Sequence, residues 1–221
     1  IGRAYRGAFN DTQPQALAGH AIAQAVQRAG LAPHEVEDVI FGAALQQGAQ
    51  GSNIARQAAL RAGLPATVAG MSLDRQCASG MMALATAAKQ VIHDGMDVVV
   101  GGGVESISLV QTPQMRLDRL RDPDLDRDIP GLYMSMLETA EIVADRYGVS
   151  RDAQDEYALR SQQRTAAAQQ AGAFDAEIAP MASEMLVQDK ATGEIVRKKV
   201  TLGKDEGNRP DTNLPGLNAL K

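Results

Sequence analysis

Residues 68–80 read VAGMSLDRQCASG, an apolar run followed by a polar turn and then by small residues. The apolar part predicts a strand from Val68 to Leu73, and the pattern from about Gly80 to His93 predicts a long helix. Cys77, the only cysteine of the chain, therefore lies at a strand-to-helix turn. Backbone N–H groups and the dipole at a helix start favour thiolate over thiol. We accordingly predict a nucleophilic Cys77 rather than the buried apolar cysteine that is more usual.

The elements on both sides of this turn alternate between helix and strand. Thr12, Pro14 and Gln15 have the pattern of an N-terminal cap, so a helix is predicted to start at Thr12 and to end at Gly30. The following elements are predicted as a strand over 36–41, a helix over 53–62 and a strand over 97–101. The valines of the last strand are typical of a strand buried on both faces. This alternation predicts a layered α/β fold with a mostly parallel sheet.

The character of the sequence changes after Leu109. Residues 111–128 contain two prolines and many charges without a clear period, which predicts a loop. Two helices follow, one over 137–147 with Ala140, Val143 and Ala144 inward and one over 151–171 capped by Ser150. A hairpin is predicted around residues 190–193. We therefore expect two domains, residues 1–108 and residues 109–221.

Composition excludes several classes of function. The net charge of −5 argues against a nucleic-acid binder, and no run of 18 apolar residues is present to span a membrane. A single cysteine allows neither an internal disulfide nor a cysteine-rich zinc site, and we expect no bound metal. It also fits a reducing compartment, and we expect a cytoplasmic protein.

The residues around Cys77 resemble the thiolases, whose nucleophile lies in an Asn-x-x-Cys-(Ala/Gly/Ser)-Ser-Gly pattern. Residues 74–80 read DRQCASG, with Asp74 in place of the usual asparagine. Other stretches resemble the family in the same order along the chain: 1–9, 50–60, 98–108, 136–141 and 150–155. The glycines of 101–103 lack the spacing of a dinucleotide-binding loop, and the resemblance implies that they let the backbone pass close to the cysteine loop.

The resemblance implies a thiolase-like layered α-β-α-β-α fold. Residues 1–108 would be the N-terminal core domain, and residues 109–221 an α+β loop domain that holds coenzyme A. The C-terminal half of the fold, with the Gly-His-Pro and Cys-x-Gly-Gly-Gly motifs, is absent from these residues. We therefore expect the 221-residue chain alone to be catalytically incomplete.

The resemblance also implies a reaction and its partners. Cys77 would accept an acyl group, in thiolytic cleavage of 3-ketoacyl-CoA or in Claisen condensation of acetyl-CoA. Coenzyme A and acyl-CoA would be substrates, with no other cofactor. Arg209 matches an arginine that approaches the adenine end of coenzyme A, while Ser135 and Met136 match positions near the pantetheine and the acyl pocket. The family forms homodimers or homotetramers, which we expect here.

Two other classes of protein stay open from the sequence. One is another enzyme of the same superfamily, a ketoacyl synthase or a sterol-carrier-type thiolase. The second is a non-catalytic protein, either a coenzyme A-binding scaffold or a subunit of a fatty-acid oxidation complex. A Gly-His-Pro motif and a second cysteine elsewhere in the protein would indicate catalysis.

Overall fold

A computed structural model describes residues 1–220 of the chain. Strands and helices alternate through the first half, which confirms the predicted α/β class. Short 3₁₀ turns lie at Pro33–Glu35 and Gly48–Gln50, and a π-helical turn at Gln90–Asp94 extends the third helix. The elements in chain order are α1 (Pro14–Arg28), β1 (Asp38–Gly42), α2 (Ile54–Arg61), β2 (Ala69–Leu73), α3 (Ser79–Lys89), β3 (Val99–Gly103), α4 (Ile107–Val110), α5 (Pro123–Asp128), α6 (Met136–Tyr147), α7 (Arg151–Gln170), β4 (Met181–Gln188), β5 (Ile195–Leu202) and α8 (Leu214–Asn218).

The first three strands form a parallel sheet in the order β2-β1-β3. Gly42, the last residue of β1, pairs with Leu73 of β2 and with Gly103 of β3. The carboxyl ends of all three strands therefore meet at one edge of the sheet. In open α/β sheets this edge is where ligands bind, because the loops that follow the strands converge there.

The core is built on both faces of β1, all of whose residues are buried. Val39 and Phe41 belong to a cluster with apolar residues of α1 and α2, whereas Ile40 packs with Ala83 and Ala87 of α3. Successive strand residues point to opposite faces, so this alternation places helices on both sides of the sheet. Each such large side chain contributes about 1.5–3 kcal/mol to folding when fully buried.

The described chain forms two compact units. The first contains Ile1–Met115 and Ala179–Glu206, and the second contains Arg116–Ile178 and the residues from Gly207 onward. The predicted hairpin is confirmed as antiparallel strands β4 and β5, and it belongs to the first unit. The boundary after residue 108 was predicted to separate a core domain from a domain that holds coenzyme A, and this assignment of roles stays a prediction.

Thr12 does not cap α1, contrary to the sequence prediction. Gln13 occupies the cap position without a side-chain cap bond. The Thr12 hydroxyl lies 2.6 Å from the hydroxyl of Ser183 in β4, and Asn10 bonds both backbone groups of Leu186. The Thr12 hydroxyl therefore contacts the hairpin, which is distant in sequence, and does not cap α1.

Two predictions about burial were also wrong. β3 is only partly buried rather than buried on both faces, because it lies at an edge of the sheet. In α6, Ala140 and Val143 are exposed and Ala144 is only half-buried.

The prediction of a loop over residues 111–128 was wrong in part, because α5 begins within it. The Asp122 carboxylate accepts two backbone N–H groups at the start of this helix.

The second unit is organised around α7. Ser150 caps this helix as predicted, its hydroxyl accepting the N–H of Ala153 at 3.2 Å. Arg151 bonds the largely buried carboxylate of Asp155 at 2.8 Å and the backbone oxygen of Leu217 at 2.7 Å. This arrangement fixes α8 against the start of α7. Over residues 1–220, no helix has the length and apolar character needed to cross a membrane.

Candidate active site

Cys77 lies in the short connection between β2 and α3, one residue before the cap position of the helix. The Asp74 carboxylate accepts the N–H of Gln76 at 2.7 Å, which turns the chain immediately after the strand. Asparagine, the usual residue here in the resembled pattern, can supply the same acceptor. The Cys77 side chain is exposed and forms no disulfide. The predicted strand-to-helix placement of the cysteine is therefore confirmed.

The buried hydroxyl of Ser79 stabilises the cysteine turn through two hydrogen bonds. The hydroxyl accepts the N–H of Arg75 at 2.8 Å and donates to the backbone oxygen of Gln76 at 2.6 Å, and the residue is only 4% exposed. Gln76 has a φ of +48°, which non-glycine residues seldom adopt. Unusual backbone geometry of this kind persists where the surroundings enforce it, and it clusters at active sites. No pattern in the sequence predicted these roles of Ser79 and Gln76.

Two glycines let the strand ends approach the cysteine loop. A Cβ atom at Gly42 would lie 2.3 Å from the carbonyl carbon of Ser79, and one at Gly103 would lie 2.9 Å from the Gly42 oxygen. Gly103 is also close to Gly80, whose Cα would be 3.5 Å from the added atom. The expectation that a glycine of the 101–103 turn passes close to the cysteine loop is thus met at Gly103.

A cavity of about 610 Å³ opens beside Cys77. Its walls come from three segments: the loop after β1, the cysteine turn with the start of α3, and the loop after β3 together with α4. All of these residues belong to the first compact unit, and the strand order brings them together. The lining residues are Gly42, Ala43, Ala44, Leu45, Gln76, Cys77, Ser79, Gly80, Gly103, Val104, Glu105, Ile107 and Gln111.

A buried amide and a carboxylate join two of these walls. Gln50 is fully buried; its Nε2 donates to the Leu45 oxygen at 3.0 Å and to the carboxylate of Glu105, and its Oε1 accepts the N–H of Ser106. The other carboxylate oxygen of Glu105 accepts the N–H of Ala44 at 2.8 Å. Gln50 and Glu105 are 55 residues apart, and no local pattern in the sequence indicated their contact.

The three residues predicted to contact coenzyme A lie in the second unit. Ser135 caps α6, and its hydroxyl accepts the N–H of Glu138 at 3.2 Å. Hydrogen bonds from the backbone N–H and hydroxyl of Ser135 hold the pKa of the Glu138 carboxyl below its usual range. Met136 begins α6 and is 73% exposed. The backbone N–H of Arg209 donates to Oε1 of Gln162 at 2.7 Å, while its side chain is exposed.

No histidine lines the cavity in the part of the chain that is described. His34 and His93 are exposed, and His20 lies with a ring nitrogen 3.2 Å from the Ala179 oxygen. Residues 1–220 also contain no cluster of side chains suited to hold a metal ion. Among the described residues that line the cavity, Cys77 carries the only thiol and Glu105 the only carboxylate.

Similar proteins were found in curated sequences and in solved structures. The chain is 40% identical over 223 residues to the peroxisomal 3-ketoacyl-CoA thiolase A of Rattus norvegicus, covering 100% of this chain and 49% of that protein. It is 36% identical to the 3-ketoacyl-CoA thiolase of Bacillus subtilis over 222 residues, which are 100% of this chain and 56% of that protein. The chain thus spans about half the length of these relatives.

The crystal structure of the Bacillus anthracis acetyl-CoA acetyltransferase resembles the fold with a TM-score of 0.79 and 37% identity. The match covers 97% of this chain and 54% of that structure, which confirms the predicted thiolase-like fold of an N-terminal half. The family model for the thiolase N-terminal domain matches residues 1–221. The chain belongs to the thiolase family, and it corresponds throughout its length to the N-terminal domain.

Proposed function

We propose that this chain supplies the nucleophile of an acyl-CoA acyltransferase, with Cys77 carrying the acyl group from an acyl-CoA donor to an acceptor. The observation that supports this most is the position of the exposed Cys77 thiol at the start of α3, on a cavity of about 610 Å³. The relatives named above are 3-ketoacyl-CoA thiolases and an acetyl-CoA acetyltransferase, which all handle acyl-CoA thioesters.

The proposed chemistry has two steps. In condensation, the Cys77 sulfur attacks a thioester carbonyl, the bond from that carbon to the coenzyme A sulfur breaks, and the departing thiolate takes up the proton that Cys77 lost. In thiolysis, the sulfur attacks the keto carbonyl of 3-ketoacyl-CoA, the carbon–carbon bond to the acetyl-CoA part breaks, and the departing acetyl-CoA carbanion takes up that proton. The acyl group then leaves Cys77 for coenzyme A or for a carbanion of acetyl-CoA. Covalent catalysis of this kind replaces one difficult step with two easier ones. The backbone N–H of Cys77 is proposed to stabilise the oxyanion that forms in each step.

The test is the acylation of Cys77 in the full-length protein. Incubation with acetyl-CoA should add about 42 Da to the tryptic peptide that contains Cys77, as expected for a covalent acyl intermediate. The Cys77→Ala variant should gain nothing and should lose thiolysis of acetoacetyl-CoA. A full-length protein that stays unlabelled while it binds coenzyme A would contradict the proposal and favour the scaffold alternative.

We further propose Arg209, Ser135 and Met136 as contacts of coenzyme A. The exposed guanidinium of Arg209 carries the charge needed to pair with a phosphate or to stack on the adenine. Arg209→Ala should raise KM for coenzyme A with little change in kcat, which is the signature of lost ground-state binding. Arg164→Ala, which removes an exposed arginine from α7, is the matched control. Equal KM values for the two variants would exclude the assignment of Arg209.

We also propose a homodimer or homotetramer located in the cytoplasm. Light scattering of the full-length protein tests the assembly, and a monomer at micromolar concentration would count against it. The rat relative is named as peroxisomal, so cell fractionation is the relevant test of location.

A further inference from the structure

We infer that Gln50 and Glu105 are a positioning pair for the reaction at Cys77. They fix the loop after β1 to the loop after β3, and so they set the width of the cavity that the acyl group enters. The inference rests on the proposed function, because it assigns these residues a role in acylation through the cavity walls. Neither residue is proposed to touch the reacting atoms.

Each side-chain nitrogen and oxygen of the pair has a hydrogen-bond partner, and Gln50 is fully buried whereas Glu105 is exposed. The Gln50 amide donates to Glu105 and to the Leu45 oxygen, and it accepts the N–H of Ser106. Glu105 completes the bridge by accepting the N–H of Ala44 at 2.8 Å. Two backbone groups of the first loop and one of the second are therefore joined through only two side chains. A fully satisfied polar network of this kind is rigid, whereas losing one partner leaves a buried group unpaired.

The location of the bridge connects it to the cysteine. Ala44, Leu45 and Glu105 all line the cavity that Cys77 lines. Burying an amide such as that of Gln50 costs free energy unless its hydrogen bonds are made, and an apolar side chain would fill the same volume more simply. A polar bridge, unlike apolar packing, fixes the distance between two loops. Reacting groups held in this way are sensitive to misplacement by about 1 Å.

Substitutions at the pair separate its polar contacts from its volume. Gln50→Met keeps a side chain of similar length and removes all three amide contacts. The double variant Q50E/E105Q exchanges the amide and the carboxylate. The carboxylate then accepts from the amide and from the N–H of Ser106, while the amide oxygen accepts from the N–H of Ala44. The bond to the Leu45 oxygen is lost in this reversed pair, and a carboxylate oxygen then faces that carbonyl oxygen, so the recovery should be partial. Recovery in the double variant would reveal coupling that a single substitution cannot measure.

The matched control lies at the opposite end of β1. There Nε2 of Gln90 donates to the carboxylate of Asp38 at 2.9 Å, the same amide-to-acid contact away from the cavity. Gln90→Met therefore removes an equivalent bond from the same compact unit. It should change the melting temperature without changing the chemistry at Cys77.

The experiment compares two alkylating reagents on the full-length protein. Iodoacetamide is small, whereas the bromoacetyl thioester of pantetheine must place its acyl part in the cavity. In both reactions the Cys77 sulfur bonds to the methylene carbon, bromide or iodide leaves, and the thiol proton goes to solvent. We expect the ratio of large-reagent rate to small-reagent rate to fall about tenfold in Gln50→Met, because misplaced walls hinder an oriented approach. The ratio should recover in part in Q50E/E105Q and stay at the wild-type value in Gln90→Met.

A ratio that is unchanged in folded Gln50→Met, or that falls equally in Gln90→Met, would overturn the inference. Acylation by acetyl-CoA is measured separately on the wild-type protein. Failure of that labelling contradicts the proposed function, whereas the reagent ratio reports on the pair alone. The two failures are therefore distinguishable.

Discussion

The hydroxyl of Ser79 donates a hydrogen bond to the backbone oxygen of Gln76 at 2.6 Å, across the turn that carries Cys77. The same hydroxyl accepts the N–H of Arg75 at 2.8 Å. One side chain, almost completely buried at the start of α3, therefore bonds a backbone N–H and a backbone oxygen of the turn. This single residue couples the conformation of the cysteine turn to the position of the helix.

Ser79→Ala should destabilise the protein and slow acylation of Cys77. The substitution leaves the N–H of Arg75 without its partner. Because Arg75 is exposed, its N–H can still bond water, and the loss should cost about 0.5–1.5 kcal/mol. Urea denaturation measures the stability, and labelling by acetyl-CoA measures the acylation rate of the folded protein. Ser161→Ala, at an exposed position of α7, is the control and should behave as wild type. A Ser79→Ala variant of wild-type stability would show that the turn does not depend on this hydroxyl.

The effect of a substitution at Gln76 on stability should depend on whether the new residue tolerates a positive φ. The φ of +48° is tolerated by asparagine and glycine but is strained for β-branched residues. We expect Gln76→Val to lower the free energy of unfolding by about 1–3 kcal/mol, the usual cost of a strained backbone position. Gln76→Asn should stay close to wild type. Equal stabilities of the two variants, measured by urea denaturation, would contradict the left-handed conformation.

Gly42→Ala should be strongly destabilising even though it adds one methyl group. The new Cβ would lie 2.3 Å from the carbonyl carbon and 2.5 Å from the oxygen of Ser79, so backbone must move. Overpacking of this kind costs typically about 1–3 kcal/mol, and we expect the upper end here. Gly80→Ala is the matched control, because no atom lies within 4 Å of its added Cβ. In thermal unfolding, the melting temperature of Gly80→Ala should therefore be higher than that of Gly42→Ala.

The sequence was sufficient to predict the alternation of strands and helices and the place of Cys77 between them, because these signals are local. Cys77 follows an apolar strand and precedes a helix, and Ser150 caps α7 through a bond to the third residue after it. Periodicity and capping act over a few residues, so they can be recognised without knowledge of the tertiary structure. The start of α5 also had a local signal, Asp122 followed by Pro123, that our loop prediction passed over.

The remaining features depend on contacts between distant parts of the chain. Thr12 has the composition of a cap, but its hydroxyl is engaged by Ser183, 171 residues away. Gln50 and Glu105 meet only because the parallel sheet brings the loops after β1 and β3 to one edge. Tertiary contacts of this kind override local propensity, and the local patterns of a single sequence do not predict them.

The Ser135–Glu138 capping box should give the start of α6 a dependence on pH. Hydrogen bonds from the backbone N–H and the hydroxyl of Ser135 lower the pKa of Glu138 from its ordinary value of 4.5. Because the folded-state pKa is depressed, the stabilisation is complete above pH 4.5 and is lost as pH falls through the folded-state pKa. Carboxyl ¹³C NMR of Glu138 measures this titration directly.

Ser135→Ala removes the hydroxyl contact but keeps the backbone N–H that bonds Glu138 at 2.9 Å. The pKa of Glu138 should therefore rise only part of the way towards 4.5, and the first turn of α6 should fray because the N–H of Glu138 loses its acceptor. Amide hydrogen exchange at that turn reports the fraying. Ser161→Ala should leave the Glu138 titration unchanged. An identical Glu138 titration in wild type and Ser135→Ala would mean that the backbone N–H alone holds the carboxylate.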